Sequence, residues 1–343
     1  MDSATPDSAY VADILAQPQC LRQLTLSEIA EATGSLSGDL ASYSRVVLTG
    51  MGASHAALRP LWLTLVGAGH PAWLLDSSEL LASLLPLIDS STLVIAASQS
   101  GRSAELVALA DEVGARGGKL LAITNDVLSP LARHAQIIVD IRAGEENAVS
   151  TKTYMNTLAA GLAIGRILLE QPMDEVLHRT ADALESYLQG WRAHVHALKE
   201  EVGLPERLYF VARGNSLAAA ECGALITKEA AKWPVEAQSA AQFRHGPLEM
   251  ADERLTVVIL AGTDDRMRAM NRTLERHLVA YGATAFWLDH GSPSAPFDIP
   301  GSAADARPLV EIVPLQLLSL AIAEQAGIEP GVFRHLNKVT TVL

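Results

Sequence analysis

The six residues from Ser98 to Ser103 (Ser-Gln-Ser-Gly-Arg-Ser) place three hydroxyls, an amide and a glycine in one short segment. This segment follows an apolar run at residues 93–97, which is typical of a strand buried on both faces. An amphipathic stretch at residues 104–113 then predicts a helix that stops at Gly114. Because the start of a helix exposes free backbone N–H groups and a partial positive charge, the turn suits an anion, above all a phosphate. A serine-capped turn without any ligand has the same composition.

A carboxylate, an imidazole and an ammonium group elsewhere in the chain are further candidates for chemistry. Glu229 lies eight residues after Glu221 in a predicted helix, so both side chains are expected on roughly one face. His245 precedes Gly-Pro in a predicted loop, which favours an exposed, orientable side chain. Lys338 lies in a C-terminal tail whose apolar finish predicts that the tail docks. Groups of these types can transfer protons or stabilise a developing negative charge.

Five apolar runs predict the strands that position the first of these groups. They lie at residues 45–50, 72–76, 93–97, 119–124 and 136–140, and helical stretches separate them. This alternation predicts βαβ units, a parallel sheet and helices on both faces. Gly52 and Ser54 follow the first strand, and the turn from Ser98 to Ser103 follows the third. Since open α/β sheets bind ligands at the carboxyl ends of their strands, both turns are expected at the ligand-binding edge.

The second half of the chain repeats this pattern at an offset of about 162 residues. The run from Arg45 to Ser54 is matched by the run from Arg207 to Ser216, with Arg, Gly and Ser in register. The same offset places the strand that begins near residue 93 on the apolar run from Leu255. Leu-Ala-Gly-Thr-Asp replaces the serine cluster there, so we expect two α/β domains with the phosphate turn only in the first.

Helical patterns complete the domain organisation. Residues 7–33 predict one or two short helices, the first broken at Pro18, and a later helix carries Pro60 near its first turns. Apolar residues recurring at threes, fours and one seven predict one long helix at residues 173–201, and a final helix is expected at residues 314–327. We therefore expect an N-terminal helical segment (residues 1–36), a first domain (37–172), a connector (173–204) and a second domain (205–343).

Composition narrows the class of protein. At 343 residues the chain is long enough for two domains, and its net charge of −13 argues against nucleic-acid binding. Cys20 and Cys222 form neither a disulfide framework nor a zinc motif, and His194 and His196 lie on different helix faces, which disfavours a metal pair. No signal peptide or run of about 20 apolar residues is recognised, so we expect a cytoplasmic protein that is not bound to a membrane.

These motifs, in this order, resemble the double SIS (sugar isomerase) family. The resemblance is carried by the Gly-x-Ser turn, Ser98-Gln-Ser-Gly101, Val149-Ser-Thr-Lys152, Lys228-Glu229, Arg244-His-Gly-Pro247 and Leu336-Asn-Lys-Val-Thr340. The family includes the isomerase part of glucosamine-6-phosphate synthase and stand-alone glucosamine-6-phosphate deaminases, to which the run at residues 142–148 is more similar. The resemblance covers residues 17–343. It implies an α/β fold of two tandem SIS domains, each a doubly wound, mainly parallel five-stranded sheet flanked by helices.

The resemblance also implies roles for individual residues. The substrate phosphate is expected on Ser54, Ser98, Gln99, Ser100 and Ser103, and further substrate contacts are expected from Gly52, Ala148, Ser150 and Asn337. Glu229 corresponds to the carboxylate that moves a proton between C1 and C2. His245 corresponds to the histidine that assists ring opening in the neighbouring subunit of a homodimer. Lys338 corresponds to the tail lysine beside the sugar carbonyl, and no metal or organic cofactor is required.

Two departures from the family pattern leave the chemistry open. Cys222 and Ile226 stand where the synthases have a Glu and a Lys, so part of their proton-transfer network is absent or rebuilt. Independently of these departures, Glu229 is alternatively a surface residue paired with Lys232, and Lys338 is alternatively a solvated tail lysine.

Four functions follow from the sequence. The leading hypothesis is an amino-sugar-6-phosphate deaminase that converts glucosamine 6-phosphate to fructose 6-phosphate and ammonia. The second is a deglycase or isomerase of another amine-bearing sugar phosphate. The third is an aminotransferring isomerase without its glutaminase domain, which is disfavoured because Asp2 stands where that domain has its cysteine nucleophile. The fourth is a sugar-phosphate sensor without catalysis.

Overall fold

The computed structural model describes residues 8–37, 40–171 and 175–335, so Asn337 and Lys338 lie outside the described residues. The chain divides into two compact units. We call the first the N-terminal-sheet unit; it contains Gln19–Glu146 and Lys152–Leu177 together with residues 334–335. We call the second the C-terminal-sheet unit; it contains residues 8–18, Asn147–Thr151 and His178–Phe333.

Five parallel strands form the sheet of the N-terminal-sheet unit. They are β1 (Arg45–Gly50), β2 (Ala72–Asp76), β3 (Thr92–Ala97), β4 (Lys119–Thr124) and β5 (Ile137–Asp140). Their spatial order is β2-β1-β3-β4-β5, with every pairing parallel. All six residues of the central strand β3 are buried, as the unbroken apolar run predicts. The predicted strands are therefore confirmed, each to within one residue at its ends.

Four parallel strands form the sheet of the C-terminal-sheet unit. They are β6 (Arg207–Ala212), β7 (Val235–Ser239), β8 (Leu255–Leu260) and β9 (Thr284–Leu288). Their order, β7-β6-β8-β9, is that of the first four strands of the other sheet. Within the described residues this sheet has one strand fewer than the five expected. Beyond β9 the chain forms only an isolated bridge between Asp289 and Asp298.

Fourteen α-helices pack around these sheets in the described part of the chain. In chain order they are α1 (Ala9–Gln23), α2 (Leu26–Ser37), α3 (Gly52–Ala57), α4 (Arg59–Gly67), α5 (Ser77–Ser83), α6 (Ala104–Ala115), α7 (Pro130–His134), α8 (Lys152–Leu168), α9 (Val176–Leu188), α10 (Trp191–Glu201), α11 (Leu217–Ala231), α12 (Ala240–Phe243), α13 (Asp265–Ala280) and α14 (Arg307–Gln325).

Prolines do not break helices where the sequence predicts that they do. Pro18 lies inside α1, because Tyr10, Ile14 and Leu21 form a continuous buried stripe whose packing outweighs the lost backbone hydrogen bond. Pro60 lies in the first turn of α4, as the sequence predicts, and its missing N–H costs nothing there. The last helix, α14, begins at Arg307, seven residues before the predicted start, and passes through a buried proline.

The predicted connector helix is two helices. Its described part divides into α9 and α10, which meet at Gly190. Glycine has the largest backbone entropy to lose in a helix interior, so this residue favours the break. The rings of Tyr187 and His194 stack across the break with centroids 4.3 Å apart. The prediction of one uninterrupted helix is therefore wrong.

One helix, α14, is long and apolar enough to cross a membrane by length and composition alone. Of its 18-residue apolar window, 89% is buried inside the fold. A core helix passes the same test, and every residue from Arg307 to Ala323 is buried. This helix therefore forms part of the core of the C-terminal-sheet unit. The cytoplasmic location stays a prediction.

Candidate functional site

The turn from Ser98 to Ser103 connects β3 to α6 and is held in place by the segments beside it. The buried Ser98 accepts a hydrogen bond on its Oγ from the Gly101 N–H at 3.1 Å. The carbonyl oxygen of Gln99 accepts from the Asn125 N–H at 3.0 Å, and that of Gly101 accepts from the Leu131 N–H at 3.0 Å. The loop after β4 and the start of α7 thus fix the backbone of this turn.

Ser103 is the N-cap residue of α6, yet its hydroxyl makes no capping hydrogen bond. By contrast, Ser129 caps α7 by accepting from the Ala132 N–H at 3.3 Å. The simple interpretation as a serine-capped turn therefore does not hold for Ser103. Gln99, Ser100 and Ser103 are half-buried, so an amide and two hydroxyls remain accessible beside the start of a twelve-residue helix. Such an arrangement can bind an anion.

Only glycine fits at position 101. Gly101 has a φ of +59°, in the left-handed region that side chains disfavour. A Cβ built there would lie 2.0 Å from the Oγ of Ser129 and 2.4 Å from its Cβ. The turn therefore packs directly against the cap of α7, which couples its shape to a neighbouring helix.

The Gly-x-Ser turn lies at the end of β1, the strand next to β3. Gly50 pairs with Ala97 in the parallel register, so the two turns start from neighbouring strand ends. The two strand ends are closely packed, because a Cβ on Gly50 would lie only 3.0 Å from the carbonyl oxygen of Ala97. Gly52 has a φ of +52° and starts α3, and Ser54 follows it in a half-buried position.

The strand order explains why this edge can accept a ligand. From β1 the chain passes to β2 on one side, whereas β3 pairs with β1 on the other side. The crevice between β1 and β3 is therefore the topological switch point of the sheet, where open α/β sheets bind ligands. Gly52, Ser54 and the residues from Ser98 to Ser103 are brought together there. Their contact with a phosphate stays a prediction.

Glu229 lies on α11 in the C-terminal-sheet unit and is half-buried. Glu221 and Leu225 are also half-buried, which agrees with the predicted shared face at intervals of four. Lys232, in a left-handed conformation at the end of α11, donates through Nζ to the backbone carbonyl oxygens of Glu229 and Val332. This lysine therefore ties the end of α11 to the segment that follows α14.

Sequence reasoning missed Tyr10, which is fully buried in the same unit. Its hydroxyl lies 2.7 Å from the Oγ of Ser319 on α14. Burial raises the pKa of the Tyr10 phenol, and the nearby ionisable groups of Cys222 and Glu229 raise it further. Tyr10 therefore lies within electrostatic reach of the candidate base. Nothing in the sequence marks this tyrosine, because its partners are more than 200 residues away along the chain.

The departures at positions 222 and 226 are both core positions. Cys222 and Ile226 are fully buried. A Cβ on the neighbouring Gly223 would meet Leu315 of α14 at 2.6 Å, so α11 and α14 are in close contact here. A Glu and a Lys at these two positions would need buried partners.

The remaining site residues of this unit lie on two loops. His245 is exposed just after α12, as expected. Its backbone N–H donates to the carbonyl oxygen of Gln242 at 2.9 Å. Ala148 is buried and Ser150 is half-buried in the loop before α8. The Asn147 N–H donates to the carboxylate of Asp13 at 3.1 Å, which anchors that loop. The structure shows where these residues lie, and their roles stay predictions.

The corresponding edge of the second sheet is occupied by internal charges. Ser216, the counterpart of Ser54, donates to Oε1 of Glu311 at 3.0 Å, and Arg307 Nε donates to the same oxygen at 3.0 Å. Arg307 also bonds Asp289 at 2.6 Å, and Asp289 pairs with Arg268. Burial raises the pKa of Glu311, although Arg307 opposes the shift. The Ser216 hydroxyl is thus already bonded to the internal carboxylate of Glu311 and is not available to a ligand at this edge.

Across residues 8–37, 40–171 and 175–335, no group of three or more His, Cys, Asp or Glu side chains is placed to hold a metal ion.

Comparisons with known proteins identify the family. The model of the SIS domain matches residues 39–165 and 205–295, which is more than half of the chain. Glutamine–fructose-6-phosphate aminotransferase (isomerizing) of Thermococcus kodakarensis is 30% identical over 354 residues. That match covers 96% of this chain and 57% of the relative, so the chain spans little more than half of the relative's length.

Solved structures share the fold along nearly the whole chain. Glucosamine-6-phosphate deaminase of Thermotoga maritima aligns with a TM-score of 0.78 at 19% identity, covering 97% of this chain and 99% of that one. Tagatose-6-phosphate ketose/aldose isomerase of Escherichia coli aligns with a TM-score of 0.83 at 18% identity, covering 96% of both chains. At such identities these likenesses concern the fold. With two parallel sheets and SIS matches in both halves, this chain belongs to the SIS domain family.

Proposed function

We propose that this chain is a phosphosugar isomerase-type enzyme that acts on an amino-sugar 6-phosphate. The observation that carries the proposal is the uncapped, hydroxyl-rich turn at the switch point of the first sheet. With a net charge of −13, the protein must bind a phosphate through local hydroxyl and N–H donors. The turn from Ser98 to Ser103 supplies such donors. At the corresponding edge of the second sheet the Ser216 hydroxyl is bonded to Glu311 instead.

The leading reaction is the deamination of glucosamine 6-phosphate. In the proposed mechanism His245 relays a proton to open the sugar ring, because an imidazole gains and loses protons near pH 7. Glu229 then removes the proton from C2 and returns it to C1. In the same conversion the amine nitrogen loses one proton and the aldehyde oxygen gains one, so the C2–N bond becomes an imine. One water adds to the imine carbon, its oxygen becomes the ketone of fructose 6-phosphate, and ammonia leaves. Lys338 would stabilise the negative charge at the sugar oxygen.

A half-buried carboxylate suits this task. A general base must lie within hydrogen-bonding reach of the proton that it removes, and a carboxylate on a packed helix can be held in such a position. Glu229 is half-buried and shares its surroundings with the buried phenol of Tyr10. Proton transfer by a positioned group contributes about 10² to 10⁴-fold to the rate.

The proposal predicts that Glu229→Gln lowers kcat by about 10² to 10⁴-fold while substrate binding is retained, since the amide cannot accept the proton. Ammonia release from glucosamine 6-phosphate measures turnover, and calorimetry measures binding. Glu221→Gln on the same helix face is the matched control and should keep full turnover. Unchanged turnover in Glu229→Gln would remove this residue from the mechanism. Binding without turnover in the unmodified protein would favour a sensor.

A second candidate is formation of glucosamine 6-phosphate by an aminotransferring isomerase. It is favoured because the curated relative described above is named glutamine–fructose-6-phosphate aminotransferase. The two candidates differ in direction and in nitrogen donor. Incubation with fructose 6-phosphate and either ammonium or glutamine, followed by detection of glucosamine 6-phosphate, separates them. We further propose a homodimer in which His245 serves the neighbouring chain.

A further inference from the structure

Arg102 is the one charged residue in the turn from Ser98 to Ser103. Its side chain is 54% exposed, and its Nη2 donates to Oδ2 of Asp126 at 2.8 Å. Asp126 lies in the loop that follows β4. The proposed function assigns the phosphate to the neutral hydroxyl, amide and N–H groups of this turn. A permanent cation within the same six residues therefore has no role in it.

The ion pair between Arg102 and Asp126 is not what keeps the turn in shape. The Asn125 N–H donates to the carbonyl oxygen of Gln99 at 3.0 Å. The Leu131 N–H donates to the carbonyl oxygen of Gly101, also at 3.0 Å. These bonds join backbone to backbone and do not involve any side chain. The guanidinium can therefore exchange its partner while the turn keeps its conformation.

A phosphate is a better partner for this guanidinium than the carboxylate is. Exposed ion pairs stabilise proteins only slightly, because water and salt screen both charges. Arg102 donates only one hydrogen bond to Asp126. A phosphate dianion accepts two parallel charge-assisted hydrogen bonds from one guanidinium, and it carries about twice the charge. Arg102 therefore gains stabilisation when a phosphate replaces the carboxylate.

Asp126 keeps other favourable interactions after such an exchange. Its Oδ1 accepts from the Leu128 N–H at 2.9 Å. The hydrogen bonds from Leu128 and Arg102 hold the pKa of the Asp126 carboxyl below its usual range, and the charge of Arg133 on α7 lowers it as well. When Arg102 leaves, Asp126 thus retains a backbone donor and a second cation nearby. The exchange does not leave a carboxylate without compensation.

We propose that Arg102 is an ionic ligand of the substrate phosphate, and that Asp126 holds its guanidinium in the ligand-free protein as an internal competitor. This inference rests on the proposed function and adds a specificity-determining residue to the same site. Arg102 supplies the only charge among otherwise neutral donors of the turn. The site should therefore prefer a dianionic phosphate ester to an ester of the same shape with a single charge.

The first test compares two esters of a sugar alcohol, glucitol 6-phosphate and glucitol 6-sulfate. Neither can react, because glucitol has no carbonyl group, and at pH 8 they carry a dianion and a monoanion. We expect Arg102→Gln to weaken binding of the phosphate about tenfold. The sulfate should lose only about threefold, because half the charge gives half the Coulomb energy. Calorimetry measures both, and an unchanged affinity for the phosphate or an equal loss for the two esters would overturn the inference.

The second test distinguishes a competitor from a structural support. Asp126→Asn keeps an acceptor oxygen for the Leu128 N–H but removes the charge that holds Arg102. We expect this change to tighten binding of glucitol 6-phosphate about two- to fivefold, as for the release of an exposed ion pair. In an Arg102→Gln background it should have no effect. Weaker binding in Asp126→Asn, or a gain that persists without Arg102, would each contradict the proposed exchange.

The matched control is a second exposed ion pair at the other end of α6, where Arg116 Nε lies 3.2 Å from Oε2 of Glu112. Arg116→Gln and Glu112→Gln alter the net charge by the same amounts and should leave the affinity for both esters unchanged. If Arg116→Gln weakened the phosphate as much as Arg102→Gln does, net charge would explain the result and the inference would fail.

The outcomes separate this inference from the proposed function. If glucitol 6-phosphate binds and only the effects of Arg102 and Asp126 are missing, the inference alone is wrong. If the unmodified protein does not bind glucitol 6-phosphate, the phosphate site of the proposed function is contradicted and the inference falls with it. Ammonia release from glucosamine 6-phosphate tests the proposed reaction independently of either arginine.

Discussion

Gly101 shows how a single residue controls the shape of the phosphate turn. Its positive φ and its close approach to Ser129 are two separate constraints. Ser129 in turn caps α7, and the Gly101 N–H bonds the hydroxyl of Ser98. A side chain at position 101 would therefore disturb both the turn and the cap of a neighbouring helix.

We predict that Gly101→Ala destabilises the protein by about 2 kcal/mol and greatly weakens binding of sugar phosphate, because a strained φ and a steric clash act together. Gly69→Ala is the matched control, since Gly69 has a φ of +86° but nothing within 4 Å of its Cβ position. It should cost about 1 kcal/mol and leave binding intact. Thermal melting and calorimetry measure both effects. Equal losses in the two variants would show that packing on Ser129 is unimportant.

At the scale of secondary structure, α14 and the loop after β9 are joined by a buried charge cluster. Arg307, on the first turn of α14, is 5% exposed and bonds both Asp289 and Glu311. Burial alone would raise the pKa of Asp289, but hydrogen bonds and charges from Arg307 and Arg268 outweigh burial and lower it. The carboxylate of Asp289 is thus stabilised in its charged form by the fold.

We predict that Asp289→Asn costs about 3 kcal/mol at neutral pH, because it leaves the buried Arg307 with a weaker partner. A lowered folded-state pKa means that the stabilisation is present above the unfolded pKa of about 3.9 and is lost as the pH falls through the folded value. The stability difference between wild type and variant should therefore shrink below about pH 4. Urea unfolding from pH 3 to pH 7 measures it.

The control for this experiment is Asp265→Asn, which changes an exposed carboxylate at the start of α13. It should cost only a few tenths of a kcal/mol from the helix dipole. A stability difference for Asp289→Asn that grows as the pH falls would contradict the assignment of a lowered pKa.

At the scale of the whole molecule, the proposed homodimer makes a prediction that a monomer does not. If His245 acts in the site of the neighbouring chain, a His245→Ala chain and a Glu229→Gln chain should complement each other. Each mixed dimer then contains one complete site, so random mixing should restore about a quarter of wild-type turnover. The measurement is ammonia release after unfolding and refolding the two inactive variants together. Mixed dimers that are recovered by a tag but stay inactive would place His245 in its own chain's site.

Much of the fold could be derived from local sequence signals. The buried run before Ser98 and the alternation of strands with helices depend on periodicity over a few residues, so β1 to β5 were predicted to within one residue. Turn chemistry is also local, which is why Gly52, Ser54 and Ser98 could be assigned to strand ends. The position of the exposed His245 followed from the Gly-Pro that comes after it.

What the tertiary structure decided depends on contacts between residues far apart in the chain. Pro18 stays inside α1 because distant packing outweighs a local rule. Tyr10 meets Ser319 across 309 residues and Ser216 meets Glu311 across 95, and no local pattern records such pairs. Whether Ser103 caps its helix was equally open, since a serine at that position is compatible with both arrangements. Local spacing defines elements, and only packing determines which side chains meet.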